Sequence, residues 1–128
     1  MLSPEQSKVI RDWVAALRSG NYLQGIGCLM RERDKMSTYC CLGVLACVAN
    51  VPHHKRPANP EHAFKFPGYD GARTDAVPVV WFQETTGLWQ HVVDALIEMN
   101  DNDLASFEQI ATHIEKLATG LENNHAER

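Results

Sequence analysis

From Tyr39 to Asn50 the chain reads Tyr-Cys-Cys-Leu-Gly-Val-Leu-Ala-Cys-Val-Ala-Asn, twelve residues without a charge in a sequence otherwise rich in Lys, Arg, Asp and Glu. A segment apolar on every side is buried on every side, and this one is too short to span a bilayer. The pattern predicts a central helix at 40–50 around which everything else packs. A first helix is predicted over 4–19, where Val9, Ile10, Trp13, Val14 and Leu17 recur at helical spacing. Ser3 is its N-cap, Pro4 suits the first helical position, Gln6 completes a capping box and Gly20 closes the end.

Between these helices, Gly25 and Gly27 at alternate positions make a poor helix and suit a short strand or a tight turn where backbone comes close to something. The charged run Arg31–Lys35 reads as a turn, and Met36–Tyr39 as the returning strand of a small hairpin. Residues 51–75, punctuated by Pro52, Pro57, Pro60, Pro67, Gly68 and Gly71, read as a long loop pinned by Phe64, Phe66 and Tyr69, with a short strand as the alternative. Val77, Val80, Trp81 and Glu84 fit a short helix ending before Gly87, or a strand through Val77–Trp81. Leu88, Val92, Val93, Leu96, Ile97 and Met99 mark a further helix that stops at the turn-forming run Asn100–Asp103. Ser106 and Gln109 then form a second capping box, followed by the apolar face Phe107, Ile110, Ala111, Ile114, Leu117 and Leu121. The fold class expected is α+β: a small, mostly helical single domain over 1–121 with a short β-hairpin and a buried helix near 40–50, and a polar tail at 122–128 expected to fray.

At 128 residues, 45% of them apolar, the chain can bury roughly two-thirds of its surface without a disulfide or metal. Cys28, Cys40, Cys41 and Cys47 are spaced awkwardly for disulfides, two of them adjacent, and read as reduced thiols of a cytoplasmic protein. No basic n-region precedes an apolar h-region at the N-terminus, so neither a signal peptide nor a membrane association is expected. The charge is unevenly spread. Residues 1–73 carry ten Lys/Arg against six Asp/Glu, whereas residues 94–128 carry eight acids against two bases. An acidic C-terminal third repels phosphates at close range, so specific duplex DNA is not expected as a partner.

Several segments together carry a resemblance: Trp13 and Ala16–Gly20, Gln24-Gly25-Ile26-Gly27-Cys28-Leu29, Cys40–Leu45, Trp81, Asn100-Asp101, and Ser106–Glu115. Their order and spacing resemble a widespread family of small phage and prophage proteins of uncharacterised function, with Met99 standing where that family usually has Leu. The resemblance covers most of the chain except 51–75 and the tail. It implies a phage accessory gene and supplies no activity.

Four constellations are candidates for chemistry. Cys41, with Leu42, Gly43 and Val44, resembles the helix start of NlpC/P60-type cell-wall cysteine peptidases, with His91 or His113 as the base such a thiolate needs; against it, free cysteines are usually small buried hydrophobes. Gln24, Gly25 and Gly27 offer backbone N–H groups to a ligand, or serve as glycines for close packing against the 40–50 helix. Asn100 and Asp101 either present a carboxylate to a ligand near the last helix or supply turn chemistry supporting the Ser106 cap. His53, His54, Lys55, Arg56, Phe64, Tyr69 and Trp81 gather on the 51–75 segment and its neighbour as a partner-binding surface. His53, His54 and His62 with Cys47 lack zinc spacing, since adjacent histidines rarely share one metal, so no metal or other cofactor is expected. A helix-turn-helix over 96–117 would need basic residues early in its second helix and has Glu108 and Glu115 instead. The function expected is a cytoplasmic phage accessory protein that binds a host protein or small ligand, for example to counter a host defence. A Cys41-dependent hydrolase and a helix-turn-helix DNA binder are the alternatives.

Overall fold

The computed structural model describes the backbone of residues 2–126 and the side chains of residues 2–121. Helix α1, Pro4–Arg18, starts with the expected capping box: the Ser3 hydroxyl accepts from the Gln6 amide at 3.1 Å, and the Gln6 side chain accepts from the Ser3 amide at 2.9 Å. Its buried face is Ile10, Trp13, Val14 and Leu17. Strands β1 (Leu23–Gln24), β2 (Met30–Arg33) and β3 (Met36–Tyr39) form a sheet in the order β1-β3-β2. β2 and β3 are the expected hairpin, turning through Asp34 and Lys35 at positive φ (51° and 65°). β1 adds in parallel, Leu23 beside Thr38 and Gln24 beside Tyr39.

Helix α2, Cys41–Val48, is the hub, with Cys41 through Ala46 all buried. Cys40 takes the N-cap position, its sulfur accepting from the Gly43 amide at 3.4 Å. Trp13 donates its indole N–H to the Cys41 carbonyl at 2.9 Å, tying α1 to the start of α2. Gly43 marks a close approach: a Cβ there would stand 1.7 Å from the Leu29 carbonyl oxygen. The helix therefore packs directly on the backbone leading into β2.

Residues 51–75 are more regular than their composition predicts. They hold a second hairpin, β4 (His53–Lys55) and β5 (His62–Phe64), joined to the first sheet through the Arg31–Glu61 bridge and a 2.7 Å bond from the Glu32 amide to the Pro60 carbonyl. Helix α3, Val79–Thr86, settles the helix-or-strand alternative at 77–84 for the helix, and ends at Gly87 in the left-handed conformation (φ 77°). The helix expected over 88–99 is shorter: α4 spans Val92–Ile97 and passes into a π-helical turn, Glu98–Asn102. Helix α5, Phe107–Ala126, follows the Ser106–Gln109 capping box and packs along α1. Its backbone stays helical to Ala126, so the frayed tail expected from Glu122 is helix that far, and the last two positions lie outside the described residues. The architecture is the expected α+β single domain.

Candidate functional site

The π turn after α4 turns Asn100 inward, where it is 1% exposed. Extra-residue turns of this kind occur often at functional positions because they re-aim a side chain that a regular helix would point elsewhere. Here the Asn100 carboxamide uses both ends. Its oxygen accepts from the Gln24 side chain at 3.0 Å and from the Cys41 amide at 3.3 Å; its nitrogen donates to the Gly25 carbonyl at 2.9 Å and to an Asp101 carboxylate oxygen at 2.8 Å. Gln24 reaches on to the Ala105 carbonyl at 2.7 Å, and the Gly27 amide donates to Asp101 at 3.4 Å. Gly25 must be glycine at this crossing, since a Cβ would sit 2.7 Å from the Thr38 hydroxyl. Gln24, Gly25 and Gly27 thus form one knot at the start of α2 with Asn100 and Asp101, more than seventy positions along the chain. The cavity beside it, lined by Cys28, Cys40, Cys41, Asp75 and Asp101 among others, measures about 10 Å³, room for about one water. The polar groups are spent on one another, so the knot braces two loops and leaves no small-molecule pocket between them.

The surface these loops display is apolar. Leu23 and Ile26 are about half exposed, at 49% and 52%, and Leu104 is 71% exposed. Leu104 also holds a left-handed backbone (φ 53°), costly for a branched side chain. Met36, 57% exposed, shares a strand face with Thr38, the register partner of Leu23. Glu98, Asp101 and Asp103 precede Leu104 in sequence, the first and last exposed.

The thiols are placed for packing. Cys41 is wholly buried, and its Sγ donates to the Leu96 carbonyl at 3.8 Å. Burial raises its pKa well above the ordinary thiol value, and burial likewise pushes Cys40 and Cys47 up to about 11. His91 is exposed ahead of α4 and His113 half-buried on α5; no hydrogen bond joins either to Cys41. The four cysteines are free.

The expected partner surface divides. His53, His54, Lys55 and Arg56 are exposed and Tyr69 is half-buried, but Phe64 is 0% and Trp81 8% exposed. Both aromatics belong to the core, Trp81 packing edge-on against Phe66 at 4.7 Å, so they are not available to a partner. Phe64 lies in a Pro/Gly-rich stretch that reads as loop, and Trp81 on the buried side of the helix expected around it. Two networks escape sequence reading because their members are distant in the chain. In one, Arg18 binds Glu108 (3.1 Å), Thr112 (3.1 Å) and Glu115 (2.7 Å), which locks the early turns of α5 to α1. In the other, His53 and His62 face each other Nδ1 to Nδ1 at 3.0 Å, and His62 Nε2 meets Glu32 at 3.2 Å. Among the described residues no group of three or more His, Cys, Asp and Glu side chains is arranged to hold a metal ion, and no helix is long and apolar enough to cross a membrane.

A family model matches residues 5–88, from the first turn of α1 to the residue after Gly87. The chain belongs to that family, a domain of unknown function (DUF8296). No curated protein and no solved structure matches the chain. The family span contains Gln24, Gly25, Gly27 and all four cysteines, while Asn100, Asp101 and Leu104 lie beyond it. The knot therefore joins the matched region to a C-terminal segment outside the match.

Proposed function

We propose that this chain is a phage-encoded cytoplasmic accessory protein that acts by binding a host protein, in the manner of a counter-defence factor. Its docking surface is the apolar patch Leu23, Ile26 and Leu104. The observation that carries the reading is Leu104, which combines a left-handed backbone with 71% exposure. Both are unfavourable in the free protein, and strain of this kind, of order 1–3 kcal/mol, persists where the surroundings enforce it. The enforcing element is the Asn100 knot, which anchors Ala105 on one side of Leu104 and Asp101 on the other. The exposed carboxylates of Glu98 and Asp103 select a partner whose apolar centre is rimmed by Lys and Arg. The phage assignment rests on the sequence resemblance, and the preference for a protein at this site rests on the exposed Leu23, Ile26 and Leu104, since the cavity at the knot itself is about 10 Å³.

Neither alternative gains a supporting observation. A Cys41 hydrolase needs an accessible thiolate, and Cys41 is buried with its pKa raised. A DNA-reading α5 needs a free, basic N-terminal turn, and Glu108, Thr112 and Glu115 are held by Arg18. The test is the double variant I26D/L104D. Immobilised wild type should retain from host lysate a protein that the variant, folded with an unchanged melting temperature, does not retain. Expression of the wild type but not the variant should alter phage plating on that host. Equal retention and equal plating by both proteins would end the proposal.

A further inference from the structure

The objection to a metal raised by the sequence concerns the adjacent pair His53 and His54. Pairing of β4 with β5 creates a different pair. Lys55 stands opposite His62 and His53 opposite Phe64, so His53 and His62 lie diagonally on one face while His54 alternates to the other. Their Nδ1 atoms approach to 3.0 Å. Two nitrogens each about 2.05 Å from one ion, at about 90° to each other, are about 2.9 Å apart.

The surroundings suit coordination as well as spacing. His62 is 7% exposed, and its Nε2 meets a Glu32 carboxylate oxygen at 3.2 Å. A carboxylate oxygen accepts, so Nε2 carries the His62 proton and Nδ1 keeps its lone pair toward His53. A carboxylate behind a histidine whose other nitrogen is free is the arrangement that orients metal-binding histidines and raises their basicity. His53 stacks on Phe64 with ring centroids 4.6 Å apart, which fixes its plane, yet the residue is exposed, which gives an ion an entry path. In the metal-free protein one proton occupies the line between the two Nδ1 atoms, donated by His53.

We propose that His53 and His62 form a two-histidine site for a divalent transition-metal ion, with Glu32 orienting His62 and water completing the shell. Imidazole ligation favours the late first-row ions, Ni²⁺ and Cu²⁺ ahead of Mn²⁺ or Fe²⁺. Ni²⁺ is the cleaner probe because it does not oxidise the free thiols. Isothermal titration of the full chain with Ni²⁺ at pH 7.5 should give one site per chain. H53Q, at an exposed position, should weaken that site at least tenfold without lowering the melting temperature. E32Q should weaken it by about 10–100-fold through the carboxylate behind His62, and H54Q should leave it unchanged. Wild-type affinity in H53Q, or an equal loss in H54Q, would overturn the assignment, as would the absence of a saturable Ni²⁺ site in the wild type.

Discussion

Replacing Asn100 by Ala tests whether the knot is a structural brace or a decorative turn. Four hydrogen bonds are lost at once, but their consequences differ. Gln24 keeps its bond to the Ala105 carbonyl, and Asp101 keeps the Gly27 amide, so these partners are re-solvated or already satisfied. The Cys41 amide, at a wholly buried residue in the first turn of α2, has no such recourse, whereas the Gly25 carbonyl is only partly buried. A buried group left without a partner costs about 1–3 kcal/mol, which is the loss expected for N100A, a sizeable share of the roughly 5–15 kcal/mol typical of a domain. Urea unfolding followed by tryptophan fluorescence reports the loss, because Trp13 donates to the Cys41 carbonyl beside the lesion. N100D separates the two ends of the side chain. It keeps acceptors for Gln24 and Cys41 but removes the donor to Gly25 and sets a second carboxylate against Asp101. Its deficit should therefore shrink at low pH, where a protonated carboxyl again donates. A loss below about 1 kcal/mol for N100A would refute the reasoning, since that is the net value of a single ordinary hydrogen bond.

The thiols should be slow to react. At pH 7.5, iodoacetamide should modify the half-buried Cys47 first and Cys41 last, following exposure and the raised pKa values; rapid native-state labelling of Cys41 would revive the hydrolase. The His53 pKa is lowered by folding, so below the ordinary value of 6.5 the unfolded chain binds the extra proton more readily and stability falls as pH falls. Thermal melts of the wild type should decline through that range, and H53Q should flatten the decline; identical pH profiles would contradict the expectation.

What was legible in the sequence is what depends on near neighbours or on composition. The capping boxes Ser3–Gln6 and Ser106–Gln109 are contacts between residues three apart, and both are present. The Cys41–Val48 helix follows from a run too apolar to sit anywhere but the centre. The β4–β5 hairpin was not legible, because His53-His54-Lys55 is exposed on both faces and shows no alternation; only its pairing with the buried His62–Phe64 makes it a strand. The same limit governs the site. Gln24, Gly25, Gly27, Asn100 and Asp101 were singled out as two separate motifs with opposite readings available for each. The turn-chemistry reading of Asn100 has it support the Ser106 cap, whereas the π turn rotates its carboxamide inward onto backbone groups more than fifty residues away. Once Asn100 is inside, the chain must turn outward sharply, and Leu104 in its left-handed conformation is where it does so. The brace and the exposed leucine are thus consequences of one local departure from α-helical winding. A substitution that restored regular α-helix through Glu98–Asn102 would displace both together.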